Sequence, residues 1–289
     1  ESQNTSTAAN IYNTAVGYGA GAAVTTGTLN TLVGGLAGDA LTDGEANVAI
    51  GYGALGTEDQ ADANVAVGVN ALATQNAGTS EAYNTAVGHN AGRQVTTGTT
   101  NTLIGGLTGD ALTEGPGNTM IGYGAGGAET TGGNNVMVGQ AGQAQLTVND
   151  TVAVGDGALQ TNTKSSKNTA IGRSALRALN HTTATDALNT AVGYYAGLSV
   201  TTGVRNTLIG GQAGDALTDA DYNVAVGVAA LTGDTLGSQS TAIGYGALST
   251  QNFTTATNSL NTAVGYLAGE FVTTGTFNTL IGGLAGDAL

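Results

Sequence analysis

The amino-acid sequence predicts an all-β protein, a parallel β-solenoid of about sixteen coils with a repeat of mostly 17 residues. Three observations carry that expectation. The word Asn-Thr-Ala-Val-Gly at residues 13–17 returns along the whole chain at a near-constant step. β-Branched residues stand two apart inside it, as the two-residue period of a strand requires. Glycine closes it in all sixteen copies, from Gly17 to Gly282.

The word opens at Asn13, Asn30, Asn47, Asn64, Asn84, Asn101, Asn118, Asn135, Thr151, Asn168, Asn189, Asn206, Asn223, Ser240, Asn261 and Asn278. A higher period lies above it. Residues 84–106, with Val95-Thr96-Thr97-Gly98 between two words, restart at Asn13, Asn189 and Asn261. The chain therefore divides into a lead-in at 1–12 and a continuous solenoid at 13–289, with blocks 13–83, 84–188, 189–260 and 261–289. It stops mid-motif at Ala288-Leu289, which reads as a fragment of a longer chain. A helical repeat is excluded, because 17 residues are too few for two helices and glycine recurs too often.

Each column of the word has a physical reading. The second position is Thr or Val and the fourth is Val or Ile, so their stiff side chains share one strand face. That face is expected to look into the coil. The third position then looks outward, and it is never polar: Ala, or Leu32, Leu103, Met120, Met137, Leu208 and Leu280. An apolar outer stripe along a rod signals self-association, and these six residues are the expected interface. Asn at the first position suits a hydrogen-bonded ladder at the roughly 4.8 Å strand spacing, a turn, or both.

Asn-Thr-Ala-Val-Gly, with 47–51 (Asn-Val-Ala-Ile-Gly) and 64–68 (Asn-Val-Ala-Val-Gly), resembles the Asn-Ser-Val-Ala-Ile-Gly repeat of trimeric autotransporter adhesin heads, the Yersinia-adhesin type. The resemblance runs from Asn13 to the end. It implies a left-handed β-roll, three chains packed side by side as a homotrimer, and attachment at a cell surface. The family coil is shorter, near fourteen residues. The spacers Ala-Gly and Thr-Thr-Gly are also similar to those of tail-fibre and appendage proteins of marine bacteriophages. Either resemblance implies an extracellular location, on a virion fibre or a bacterial surface, with a host glycan or protein as receptor.

Composition narrows the chemistry. The net charge of −14 argues against nucleic acid. Four of the six basic residues, Lys164, Lys167, Arg173 and Arg177, fall in one short stretch that is either a contact patch or a solvated edge. There is no Cys and no apolar run long enough to span a membrane. His89 and His181 stand apart without a partner motif, and no Ser-His-Asp set, carboxylate pair or phosphate loop is visible. The reading is therefore non-catalytic, without a cofactor. The segment at 34–41, repeated at 105–112, 210–217 and 282–289, resembles a calcium nonapeptide with its second Gly misplaced. Asp39, Asp110, Asp215 and Asp287 are thus the metal candidates, most simply as exposed turn residues, or as an ion site where three copies meet.

Two features offer receptor contacts. Tyr follows the word at Tyr18, Tyr52, Tyr123, Tyr194, Tyr245 and Tyr266, suited to stacking on sugars or to packing on the next coil. Polar inserts at 77–83, 180–187 and 252–260 lengthen three coils, and solenoid insertions map to loops. Asn149, Asn180 and Asn252 open glycosylation sequons. The function expected is a structural or adhesive fibre. The alternatives are a self-assembling filament without a receptor, and an ice-binding solenoid. The latter is weakened by Val at 48, 65, 136, 152 and 224 in the Thr column, and by the inward direction expected for that column.

Overall fold

The computed structural model describes residues 11–78 and 81–287. The lead-in lies almost wholly outside them, as do two residues of the first insert and the end of the last motif. The chain is a parallel β-solenoid of about sixteen turns in two compact units, 1–140 and 141–289. Each turn contributes one three-residue strand, at positions two to four of the word. In the first unit these begin with Thr14–Val16, Thr31–Val33 and Val48–Ile50 and end with Val136–Val138. In the second they run from Val152–Val154 to Thr279–Ile281. The register is word on word, as in Thr102↔Thr119, Leu103↔Met120 and Ile104↔Ile121.

The two strand faces are the reverse of the sequence expectation. The third position points into the coil: Leu103, Met120, Met137 and Leu208 are fully buried within the single chain, and Leu32 nearly so. Leu280, in the last described coil, is half-buried. These residues are core, not an interface surface. The second and fourth positions face out, with Ile104, Ile121, Ile171 and Ile209 each 37–39 % exposed. Period-two alternation puts the two sets on opposite faces but does not say which is inside. The volume of the interior decides it.

That interior is filled reciprocally. Where the third position is large, the residue eight after the start of the word is Gly in all coils but that of Met137: Leu32 with Gly38, Leu103 with Gly109, Met120 with Gly126, Leu208 with Gly214. A methyl on Gly109 would lie 3.1 Å from a Leu103 methyl and from the Met120 sulfur. Where the third position is Ala, that place carries a buried Leu in six coils, Leu55, Leu72, Leu159, Leu176, Leu231 and Leu248, and Gly in the other four, Gly21, Gly92, Gly197 and Gly269. In most coils one bulky side chain thus comes from either wall; in the four with Ala and Gly, side chains of neighbouring coils close the space, as Leu72 and Leu103 do with Val95 around Gly92.

The closing Gly is required by its backbone. Gly105 has φ +136°, and a Cβ there would sit 2.4 Å from the Gly122 carbonyl oxygen of the next coil. The close approach is between coils of one chain. Gly105→Ala is expected to cost about 3 kcal/mol or more. Gly211→Ala, whose built Cβ meets nothing nearer than 3.9 Å, should stay within about 0.5 kcal/mol. Urea midpoints of the two variants check this; equal midpoints would contradict the packing.

Candidate functional site

The outward face of each unit consists of three parallel columns. The second-position column is Thr, with Val at 48, 65, 136, 152 and 224, and the fourth is Val or Ile. Both are half-buried or exposed. The third column, just beyond the closing Gly, carries the Tyr residues. All six are exposed, from 49 % for Tyr194 to 88 % for Tyr18.

Their surroundings set how the rings lie. Tyr52 and Tyr123 each cover a Gly of the preceding coil; a Cβ on Gly35 would approach Tyr52 Cδ2 to 3.3 Å, and one on Gly106 would approach Tyr123 Cδ2 to 3.6 Å. Tyr245 and Tyr266 stack at 5.5 Å between centroids, 13° from parallel. Tyr194 stacks on Tyr195 at 3.9 Å. The hydrogen bond to Tyr195 is the main reason the Tyr194 hydroxyl titrates above its ordinary value. The column thus packs along the coils while leaving each ring open to solvent.

Inside the coil, Asn does the work of both earlier readings. Asn101 Oδ1 accepts the Asn118 backbone N–H at 2.9 Å, while Asn101 Nδ2 donates to the Gly115 carbonyl at 3.0 Å. Each Asn ties the turn closing its own coil to the start of the next. The same pattern recurs at Asn30, Asn47, Asn84, Asn189, Asn206 and Asn223.

A second polar column escaped the sequence reading. Eleven residues after the start of the word, Val or Leu alternates with buried polar residues: Glu58, Gln75, Glu129, Asn162, Asp234 and Gln251. Glu58 is fully buried and accepts the backbone N–H groups of Asp59, Gln60 and Ala61 on Oε1. Its Oε2 accepts Gln75 Nε2 at 3.0 Å and the Ala77 N–H at 3.3 Å. Asp234 repeats the design, accepting Gly237 N, Phe253 N and Gln251 Nε2. Ala77 and Phe253 lie at the start of inserts, so these carboxylates pin the inserts to the core. An acidic residue in an otherwise aliphatic column was the available signal.

The middle insert is held differently. Ser165 Oγ lies 2.6 Å from His181 Nδ1, and His181 Nε2 lies 2.9 Å from the Thr202 carbonyl. The carbonyl can only accept, so Nε2 carries the proton and Ser165 donates to Nδ1. Ser165 is fully buried and His181 9 % exposed, so the pair locks the insert where a nucleophile would need an open face. The inserts at 180–187 and 252–260 also form short parallel pairs, Ser165–Ser166 with Thr185–Asp186 and Gly237–Ser238 with Thr257–Asn258.

The Asp candidates occupy a flank column nine residues after the start of the word, and three of them lean on the following coil. Asp39 and Asp110 lie over Gly56 and Gly127, and Asp215 accepts from Thr232 Oγ1 at 2.5 Å. Asp287 is exposed. Burial raises the Asp110 carboxyl above its usual range, with its backbone hydrogen bond and then Arg93 opposing. Among the described residues, no three His, Asp or Glu side chains gather as a metal set. Of the clustered cations, Lys167 pairs with Asp186 and Arg173 lies 3.7 Å from Asp156, while Lys164 donates to the Thr182 carbonyl. No helix is long and apolar enough to cross a membrane among the described residues.

No family model, curated protein or solved structure matches the chain.

Proposed function

We propose that this chain is the shaft of an extracellular, non-catalytic fibre that assembles side by side as a homotrimer and serves attachment to a cell surface. A phage tail fibre or a bacterial adhesin head would have this role. The supporting observation is the outward strand face, an unbroken pair of Thr/Val and Val/Ile columns on each unit. Flat apolar surface of that extent is unfavourable in water and is satisfied by a second copy of the same face. The number three rests on the resemblance to adhesin heads. Exposed Tyr rings and pinned inserts at the rim supply receptor contacts.

Native mass spectrometry tests the assembly. The parent is expected at the mass of three chains, and Ile104→Glu with Ile121→Glu at the mass of one, with an unchanged circular-dichroism spectrum. A parent found as one chain, or a variant keeping the parent's mass, would refute it.

A second reading gains from the direction of the Thr column. Outward Thr at roughly 4.8 Å spacing, on a parallel sheet, is also what an ice-binding face needs. Thermal hysteresis beyond the colligative value would favour that reading; its absence leaves the fibre.

A further inference from the structure

We infer that the second unit carries a binding groove for an acidic sugar, a uronic-acid unit of a surface polysaccharide; this deepens the attachment reading and rests on it. The groove, of about 360 Å³, is lined by Thr161, Arg177, Ala178, Leu198 and Ser199. It is a shallow groove open to solvent, suited to one unit of an extended chain lying across it. These residues come from three successive coils, at the ninth and tenth places after the start of the word, so the solenoid repeat itself aligns them.

The chemistry of the lining is selective. Ala178 and Leu198 offer an apolar floor, on which the C–H face of a pyranose can rest. Thr161 and Ser199 stand beside it with hydroxyl groups. Arg177 supplies the charge: its Nε donates to Gln160 Oε1 at 2.8 Å, which steadies the guanidinium and leaves both terminal nitrogens to bind a carboxylate in bidentate fashion. Thr161 Oγ1 donates to the Arg177 carbonyl at 2.8 Å, tying the groove's walls together.

Comparison within the column shows why this cation is unusual. Arg93, at the same place in the first unit, is followed one coil later by Asp110, whose carboxyl it helps to ionise. Arg177 is followed by Leu198 and preceded by Gln160. Neither ion pair found among the described residues uses it. In a chain of net charge −14, an arginine without a carboxylate partner beside an apolar groove is poised for an external anion.

Saturation-transfer NMR on the full chain, with galacturonate oligomers and neutral galactose oligomers as probes, tests the assignment. Saturation transfer is expected to the galacturonate alone, with affinity falling as salt rises. Arg177→Gln should weaken it at least tenfold and Arg177→Lys by less, whereas Arg93→Gln should leave it unchanged. Equal signals from both sugars, or an Arg177→Gln variant that binds like the parent, would overturn the groove. Adsorption of the same samples to bacterial cells separates the two proposals. A chain that adsorbs but ignores galacturonate refutes the groove and keeps the attachment reading. A chain that binds galacturonate and adsorbs to no surface refutes attachment and keeps the groove.

Discussion

Leu103→Glu is expected to abolish cooperative folding of the unit that contains it, while Ile104→Glu, one residue along, leaves the fold intact. Leu103 is fully buried, its methyl groups against Gly92 and Gly109. Burying that charge unpaired costs well over about 4 kcal/mol, comparable to the whole stability of many domains. Ile104 is 38 % exposed, so its carboxylate would stay hydrated. Thermal melts by circular dichroism, with limited proteolysis, distinguish the two. If Leu103→Glu kept a native spectrum and lost only oligomer mass, the direction of the strand faces would be wrong.

Glu58→Ala should be nearly as damaging. The substitution strands the buried Ala61 N–H and Gln75 amide, together with the half-buried N–H groups of Asp59, Gln60 and Ala77. Removing one partner of a buried charged network costs about 3–5 kcal/mol. Glu58→Gln, which keeps shape and part of the acceptor capacity, should cost less. Hydrogen exchange reads the effect locally: the amides of 59–61 and 77 should lose protection first, with the insert released before the strands. Unchanged protection at 77 would remove the carboxylate's role as a pin.

The solenoid was legible because a repeat of about 17 residues leaves few ways to bury its apolar columns, and the closing Gly marks every turn. The turning role of Asn was legible too, since an amide can accept and donate at once. The facing of the strand was not. Thr-Ala-Val alternates equally well with either side inward, and β-branched residues were assigned to the core on preference alone. Leu103 with Gly109, against Ala49 with Leu55, shows what a closer comparison of columns would have found: in most coils, one large side chain supplied from one wall or the other. Such compensation occurs only across a shared interior.

The acidic residues teach a related lesson. Along the chain they look scattered, and Glu58 and Asp234 differ in nothing obvious from Glu45 or Asp219. Glu58 and Asp234 are fully buried, whereas Glu45 and Asp219 are exposed. The difference is the column each occupies once the coils are stacked. Likewise, the Tyr positions were visible at once, but how their rings lie depended on their neighbours in space, Gly35 under Tyr52 or Tyr266 against Tyr245.

By itself, then, the sequence determined the period, the parallel register, the glycine corners and the place of the inserts, because these follow from spacing along one strand and one turn. Only the tertiary structure decided which strand face is core, which acids are structural, and that Arg177 stands beside Gln160 and Leu198 without a carboxylate partner among the described residues. Those outcomes depend on volume and hydrogen-bond satisfaction between residues about 17 apart, where close packing selects one of two arrangements that the alternating pattern leaves equal.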